Sequence, residues 1–203
     1  MATALLVIDI QNDFCPGGAL AVAEGDAIIP RVNALMDQFD VVVATQDWHP
    51  ADHKSFASNH GAEPFSMTDM PYGPQVLWPD HCIQGTDGAA FHKDLEIDRA
   101  DLIIRKGFRP EIDSYSAFFE NDKTTVTGLS GYLKERGVRD VILVGLATDF
   151  CVYYSAIDAV AQGFGATLLL DCCRAIDLDG SLDAAMADMT AKGVAITEST
   201  RLT

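Results

Sequence analysis

The sequence is short of positive charge. Its 203 residues include 14 Lys and Arg against 30 Asp and Glu, which gives a formal net charge of −16. A surface of this kind repels the phosphates of nucleic acids and the headgroups of anionic lipids. We therefore expect neither a nucleic-acid partner nor a role at a membrane surface.

Long apolar runs and paired cysteines are also missing. The uninterrupted apolar runs are far shorter than the roughly 20 residues that a membrane-spanning helix needs. The cysteines are odd in number and lack the spacing of a disulfide framework, since the five stand at 15, 82, 151, 172 and 173. The first residues lack the basic and then apolar pattern of a secretion signal. Together these absences predict a protein of the reducing cytoplasm.

The sequence does contain an alternation of short apolar runs with amphipathic segments. Six runs predict buried strands, at 5–8, 41–45, 102–106, 141–145, 167–170 and 194–197. Between them, helices are predicted at about 26–38, 128–136, 151–163 and 181–192. This alternation is typical of an α/β fold with a parallel sheet covered by helices on both faces. The length and the 48% hydrophobic content predict one domain, residues 1–203.

One segment interrupts the alternation. Residues 47 to about 100 carry five prolines and many polar side chains, so we predict an irregular segment there. A loop of that length in a compact domain usually has a function. We expect it to form a wall of an active site.

Reactive side chains follow four of the predicted strands. Asp9 follows the first strand, Asp47 the second, Lys106 ends the third, and Cys151 comes after a glycine-containing turn behind the fourth. Ligands of open parallel sheets bind outside the carboxyl ends of the strands. A lone cysteine beside a strand is more often a small core residue. Four strands that carry reactive groups to one edge predict an enzyme instead, with a helix start that favours the thiolate of Cys151.

The second strand also leads into a group of metal-ligand types. Asp47, His49 and His53 lie within seven residues, and His81 lies in the same long loop. Carboxylate and imidazole together suit zinc, iron or manganese. The spacing alone leaves open whether these side chains bind a metal or are solvated, and His60 and His92 are expected to be solvated.

Five motifs resemble those of the nicotinamidase (pyrazinamidase) branch of the isochorismatase-like hydrolases, in that family's order. They lie at 7–14, 47–56, 78–82, 106–107 and 145–151, so the resemblance covers essentially the whole chain. It implies a three-layer α/β/α fold whose six-stranded parallel sheet has the order 3-2-1-4-5-6. It also implies conversion of nicotinamide to nicotinate and ammonia, and of pyrazinamide to pyrazinoate, through a cysteine thioester in NAD salvage.

The resemblance implies a Cys-Asp-Lys triad. Cys151 would be the nucleophile, Asp9 the general base, and Lys106 the cation that stabilises the thiolate and orients the carboxylate. An oxyanion hole would be formed by the N–H groups of Ala147 and Cys151, with a cis peptide bond between Leu146 and Ala147.

The resemblance further implies a divalent metal ion that holds the ring nitrogen of the substrate. Its ligands would be Asp47, His49, His53 and His81. Relatives differ at the position of His53, so Asp52 beside it is a conceivable substitute. Zinc is the first expectation, with iron or manganese as alternatives.

The substrate slot is implied by the same resemblance. Phe14, Trp78, Tyr115 and Ala147 match positions that line it in relatives, whereas Phe150 varies among relatives and is assigned no role. The expected substrate is a small molecule, and a homo-oligomer is left open.

Other functions were weighed against this one. A sibling cysteine amidohydrolase acting on a carbamoyl or ureido substrate would keep Cys151, Asp9 and Lys106 but would not need the metal group. An isochorismatase or a carrier-type interaction domain would lack the cysteine. An aspartyl phosphatase would need Asp where Gln11 stands, and a dinucleotide oxidoreductase would need a G-x-G-x-x-G motif. A non-catalytic metal-binding module stays open.

Overall fold

A single parallel sheet organises the protein. The computed structural model describes residues 2–202. The strands of this sheet are β1 (Ala2–Ile8), β2 (Val41–Asp47), β5 (Leu102–Lys106), β6 (Val138–Leu146), β7 (Gly165–Arg174) and β8 (Ala195–Thr197). They are all parallel and follow the order β5-β2-β1-β6-β7-β8. In sequence order these six strands give 3-2-1-4-5-6, which confirms the predicted topology.

Helices cover both faces of the sheet. Helix α1 (Ile29–Met36) packs on one face, and α2 (Leu129–Glu135), α3 (Tyr153–Ala161) and α4 (Ser181–Ala191) pack on the other. The side chains of β1 alternate between the two cores, because Leu5 and Val7 join the first and Leu6 and Ile8 join the second. Full burial of each such side chain contributes about 1.5–3 kcal/mol of stabilisation. None of the helices in residues 2–202 has the length and apolar character needed to cross a bilayer.

The segment predicted to be irregular contains a small second sheet. The strands β3 (Met67–Met70) and β4 (Gly73–Val76) form an antiparallel hairpin within it. The predicted helix at 26–38 also differs, because Gly25–Ile28 forms a 3₁₀ turn and the α-helix begins only at Ile29, with Pro30 in its first turn.

The register of the sheet fixes where the chemically reactive residues lie. Asp47 and Lys106 are direct partners at the ends of β2 and β5. Ile8 is the partner of Gly145 at the ends of β1 and β6, and a Cβ atom at position 145 would lie 2.1 Å from the Ile8 carbonyl oxygen. Only glycine therefore allows β1 and β6 to approach this closely, just before the turns that carry Asp9 and Cys151.

Candidate active site

Three reactive side chains meet beyond the carboxyl ends of β1, β5 and β6. Asp9 and Lys106 are fully buried, and Cys151 is 6% exposed. The Lys106 Nζ atom lies 2.8 Å from Asp9 Oδ2 and donates to Cys151 Sγ at 3.5 Å. It also donates to the Ser114 carbonyl oxygen at 2.9 Å and to the Asp47 carboxylate. We call Asp9, Lys106 and Cys151 the reacting half of the site.

Burial and charge set the protonation of this half. Burial raises the pKa of Asp9, and the nearby Lys106 opposes that rise only in part. Burial would lower the pKa of Lys106, but the carboxylates of Asp47 and Asp9 outweigh it and raise that pKa well above its ordinary value. Burial also raises the pKa of Cys151, with Asp9 acting in the same direction. Lys106 acts in the opposite direction but does not outweigh burial, so the pKa of the Cys151 thiol stays raised and a base is needed to take its proton.

The nucleophile's turn differs in detail from a simple helix start. After β6, the Leu146–Ala147 peptide bond is cis, as predicted. A π-helical turn over Thr148–Val152 follows, and α3 proper begins at Tyr153, so Cys151 lies in the turn that precedes the helix. The Ala147 carbonyl oxygen accepts hydrogen bonds from the N–H groups of Phe150 and Val152, both at 3.1 Å.

Three of the four predicted metal ligands come together beside this half. The Nε2 atoms of His49 and His81 lie 3.6 and 3.9 Å from Asp47 Oδ2. Their Nδ1 atoms lie 2.8 Å from the Gly107 carbonyl oxygen and 2.7 Å from the Pro79 carbonyl oxygen. A carbonyl only accepts, so each Nδ1 carries the proton and each Nε2 offers a lone pair. We call Asp47, His49 and His81 the metal half.

The metal half fits a divalent ion. Two ligands about 2.0–2.1 Å from a tetrahedral ion are themselves about 3.4 Å apart, close to the separations observed here. Burial lowers the pKa of His81 to about 4, which keeps that imidazole neutral as a ligand. At His49 burial has the same sign, but the Asp47 carboxylate outweighs it and raises the pKa. A raised pKa means that His49 Nε2 binds a proton more readily, and a metal ion would take the place of that proton on Nε2.

His53 occupies a different position from the other three. The centroid of its ring lies 4.3 Å from that of the His49 ring. The carboxylate whose oxygen lies near both of these imidazoles is that of Asp113, whereas the metal half joins His49 to Asp47 and His81. Its Nδ1 lies 2.7 Å from Ser55 Oγ, and its Nε2 lies 3.2 Å from the Ile112 carbonyl oxygen. The carbonyl again needs a donor, so Nε2 carries the proton in this arrangement. The conceivable substitute Asp52 is exposed.

A cavity lies between the two halves, lined by residues of both. All four predicted substrate-binding residues line it together with Cys151, namely Phe14, Trp78, Tyr115 and Ala147. The Trp78 Nε1 atom donates to the Tyr115 hydroxyl at 3.0 Å, which fixes the two rings edge to face.

Sequence reasoning missed four residues that also line the cavity: Leu20, Asp113, Phe150 and Ile176. Phe150 was assigned no role, yet its ring meets that of Trp78 edge to face at 4.9 Å. Its place next to Cys151 was the signal that could have identified it. Asp113 has no comparable signal, because nothing in the sequence around it predicts that this carboxylate is buried.

The comparisons with known proteins identify the family of this chain. Residues 3–201 match the Isochorismatase domain family. The chain therefore belongs to the isochorismatase-like hydrolase family. A nicotinamidase from Acinetobacter baylyi is 58% identical over 94% of this chain and 90% of its own length. Within the family, the chain belongs to the nicotinamidase branch.

Solved structures give the same grouping. A nicotinamidase–pyrazinamidase from Acinetobacter baumanii has a TM-score of 0.98 at 58% identity, and the match covers 100% of this chain and 98% of that one. A pyrazinamidase from Pyrococcus horikoshii, solved in complex with zinc, has a TM-score of 0.79 at 37% identity over 98% of this chain and 99% of that one.

Proposed function

We propose that this protein is a metal-dependent nicotinamidase. It hydrolyses nicotinamide to nicotinate and ammonia, and pyrazinamide to pyrazinoate, as a step in NAD salvage. The observation that carries the proposal is the placement of Cys151, Asp9 and Lys106 at one side of a small aromatic cavity and of a metal half at the other. An acyl-transfer nucleophile and a ligand for a heteroaromatic ring are both needed for this substrate.

The reacting half supplies the chemistry. Asp9, whose pKa burial raises, takes the proton of the Cys151 thiol as the sulfur attacks the carboxamide carbon. Asp9 then gives this proton to the leaving nitrogen, so that ammonia departs and a thioester remains. Water then hydrolyses the thioester: Asp9 accepts a proton from the water and returns it to the departing Cys151 sulfur, which releases nicotinate and restores the thiol. Lys106 stays charged throughout and holds Asp9 beside the sulfur.

The turn ahead of α3 supplies the stabilisation of the transition state. The N–H groups of Ala147 and Cys151 are the proposed donors to the oxyanion that forms at the carboxamide oxygen. Donors aimed in advance at developing charge usually make the largest single contribution to catalysis of this type.

The metal half positions the substrate. Asp47, His49 and His81 are the proposed ligands, and zinc is the first choice for two imidazoles and one carboxylate, with iron or manganese as alternatives. A bound ion would supply a Lewis acid for the ring nitrogen, and Asp47, His49 and His81 would hold it where the carboxamide faces Cys151. His53 packs on His49 and supports its orientation.

The wider setting follows from composition. We propose that residues 1–203 act as one isochorismatase-like hydrolase domain in the cytoplasm, on a small-molecule substrate, without nucleic acid or membrane partners. The net charge of −16 and the five free cysteines support this setting.

A substrate panel tests the proposal. Purified protein is assayed for ammonia release from nicotinamide, pyrazinamide and an N-carbamoyl amino acid, with nicotinate identified by chromatography. We expect turnover of the first two only. Turnover of the carbamoyl substrate alone would favour the sibling amidohydrolase, and ammonia release from none of the three would favour the metal-binding module.

A further inference from the structure

The hairpin β3–β4 buries one side chain, and that side chain is polar. Each of its strands has 4 residues, and Gln75 is the one that is buried, with 1% of its surface exposed. Burying an amide is unfavourable unless its hydrogen bonds are made inside the protein. The buried side chain of the hairpin must therefore be held by hydrogen bonds to the rest of the protein, not by apolar packing.

The amide of Gln75 points at the wall of the cavity. Its Nε2 atom lies 2.7 Å from Asp113 Oδ2 and 2.9 Å from the Tyr115 hydroxyl oxygen, and both of these residues line the cavity. Its Oε1 atom accepts from the Tyr72 hydroxyl at 3.2 Å and from Asn121 Nδ2 at 3.3 Å. These acceptor contacts fix which end of the amide is the donor.

The contact with Asp113 is the strongest of the contacts that Nε2 makes. Nε2 has two hydrogens and also lies 2.8 Å from the Val76 carbonyl oxygen, so three acceptors compete for them. A carboxylate is the best acceptor of the three. Asp113 is 2% exposed, and its other donor among residues 2–202 is the N–H group of Ser114, at 2.8 Å. Gln75 therefore supplies half of the hydrogen bonding that this buried carboxylate receives from the described chain.

The segment 113–115 contacts both the reacting half and the aromatic wall of the cavity. The Ser114 carbonyl oxygen accepts from Lys106 Nζ at 2.9 Å, and the Tyr115 hydroxyl accepts from Trp78 Nε1 at 3.0 Å. Gln75 contacts this segment at Asp113 and Tyr115, whereas Lys106 contacts it at Ser114. Its loss would free the segment to move away from the cavity.

We propose that Gln75 is a positioning residue for the hydrolysis, which fixes Asp113 and Tyr115 so that the cavity closes on a planar heteroaromatic carboxamide. The proposal rests on the function proposed above. Gln75 acts through its two partners and touches no reacting atom. Its removal therefore loosens substrate binding and leaves the chemical step nearly intact, which raises KM with little change in kcat.

The first test is Gln75→Met, which keeps the length of the side chain and removes its donor. We expect KM for nicotinamide to rise about tenfold, the size of effect that loss of one hydrogen bond to a charged group produces, with kcat little changed. A merely structural role would lower the fraction of folded enzyme and hence the apparent kcat, while KM stayed the same. Asp69→Asn, exposed on the other strand of the hairpin, is the matched control.

The second test reverses the direction of the hydrogen bond. Gln75→Glu places a carboxylate against Asp113 and should raise KM further. Adding Asp113→Asn supplies an amide that donates to that carboxylate while still accepting from the Ser114 N–H group. Because the two positions are coupled, we expect the KM of the double variant to fall most of the way back to the value of the unmodified protein.

Thermal unfolding is measured for every variant in both tests. If Gln75→Met does not fold, the recovery of KM in the double variant relative to Gln75→Glu tests the proposal. The proposal is overturned if Gln75→Met keeps the KM of the unmodified protein, if it lowers kcat alone, or if the double variant is no better than Gln75→Glu. A lack of ammonia release by the unmodified protein would instead count against the proposed function.

Discussion

The reacting half and the metal half of the site are built in different ways. Asp9 follows the central strand β1, Lys106 ends the edge strand β5, and Cys151 lies in the turn behind β6, so the sheet itself positions them. His49 and His81 lie in loops, where a single hydrogen bond to a backbone carbonyl aims each ring. Groups carried by strands are positioned by many contacts at once, whereas groups carried by loops depend on a few. The metal half should therefore be the easier half to disturb from a distance.

The largest expected effect tests the reacting half alone. Cys151→Ala should fold, keep its metal and bind nicotinamide, yet lose several orders of magnitude in ammonia release, because the covalent route is closed. Single-turnover assays together with nicotinamide binding by calorimetry measure both parts. Appreciable turnover in this variant would mean that water attacks the carboxamide directly.

The next effect separates the two kinds of histidine. His49→Ala should lower metal affinity and activity by more than about a hundredfold, since even groups that only orient a ligand are worth about 10–100-fold. Chelation of the unmodified protein should give the same phenotype, with partial recovery by more than one divalent ion. His53→Ala should keep its metal, as measured by elemental analysis. Equal metal loss in both variants would place His53 among the ligands.

A smaller effect probes how the loop aims His49. A Cβ atom at Gly107 would lie 2.4 Å from His49 Cε1, so Gly107→Ala should displace the ring and weaken metal binding by about tenfold. Gly137→Ala is the matched control, because its φ of +68° is almost the same as the +67° of Gly107 while nothing lies within 4 Å of its Cβ. If the two variants bind metal equally well, contact with His49 is not what requires glycine at 107.

The smallest effect concerns the pH dependence of the reacting half. Burial raises the pKa of Asp9, and the base must be deprotonated to act. Activity should therefore be lost as pH falls through that raised pKa, so the acid limb of kcat/KM should lie above the ordinary Asp value of about 3.9, with a tenfold loss per pH unit below it. Metal content is measured at each pH as a control. An acid limb at or below the ordinary value would exclude Asp9 as the base.

The contrast between groups carried by strands and groups carried by loops also explains which features can be predicted from the sequence. The four strands that carry the site were predicted within a few residues, because continuous apolar runs indicate buried strands and their ends bring Asp9, Asp47 and Lys106 to one edge. The triad and the cavity residues Phe14 and Trp78 followed from the motifs. These positions depend on local pattern and on sheet geometry, both of which can be inferred from a single sequence.

The features that were not predicted depend on how the segments outside the main sheet pack, and such packing leaves no periodic pattern in the sequence. The hairpin β3–β4 is short, polar and interrupted by Gly73 and Pro74, so nothing in its composition predicts strands. Gln75 and Asp113 are both buried and share a hydrogen bond, and that contact between positions far apart in the chain is invisible in either local sequence. The protonation of Cys151 depended on the balance between burial and Lys106, which spacing cannot weigh.

The pairing of Asp47 with Lys106 across β2 and β5 also bears on how the chain acquires its activity as it folds. These two residues are 59 positions apart, and the Lys106–Cys151 contact spans 45 more. Contacts of such long range form slowly, because the intervening chain must lose its freedom before they contribute. Within helices α1 to α4, by contrast, the backbone hydrogen bonds join residues only four positions apart. During refolding, helical circular dichroism should therefore return first, and ammonia release should appear only when the central strands are in register.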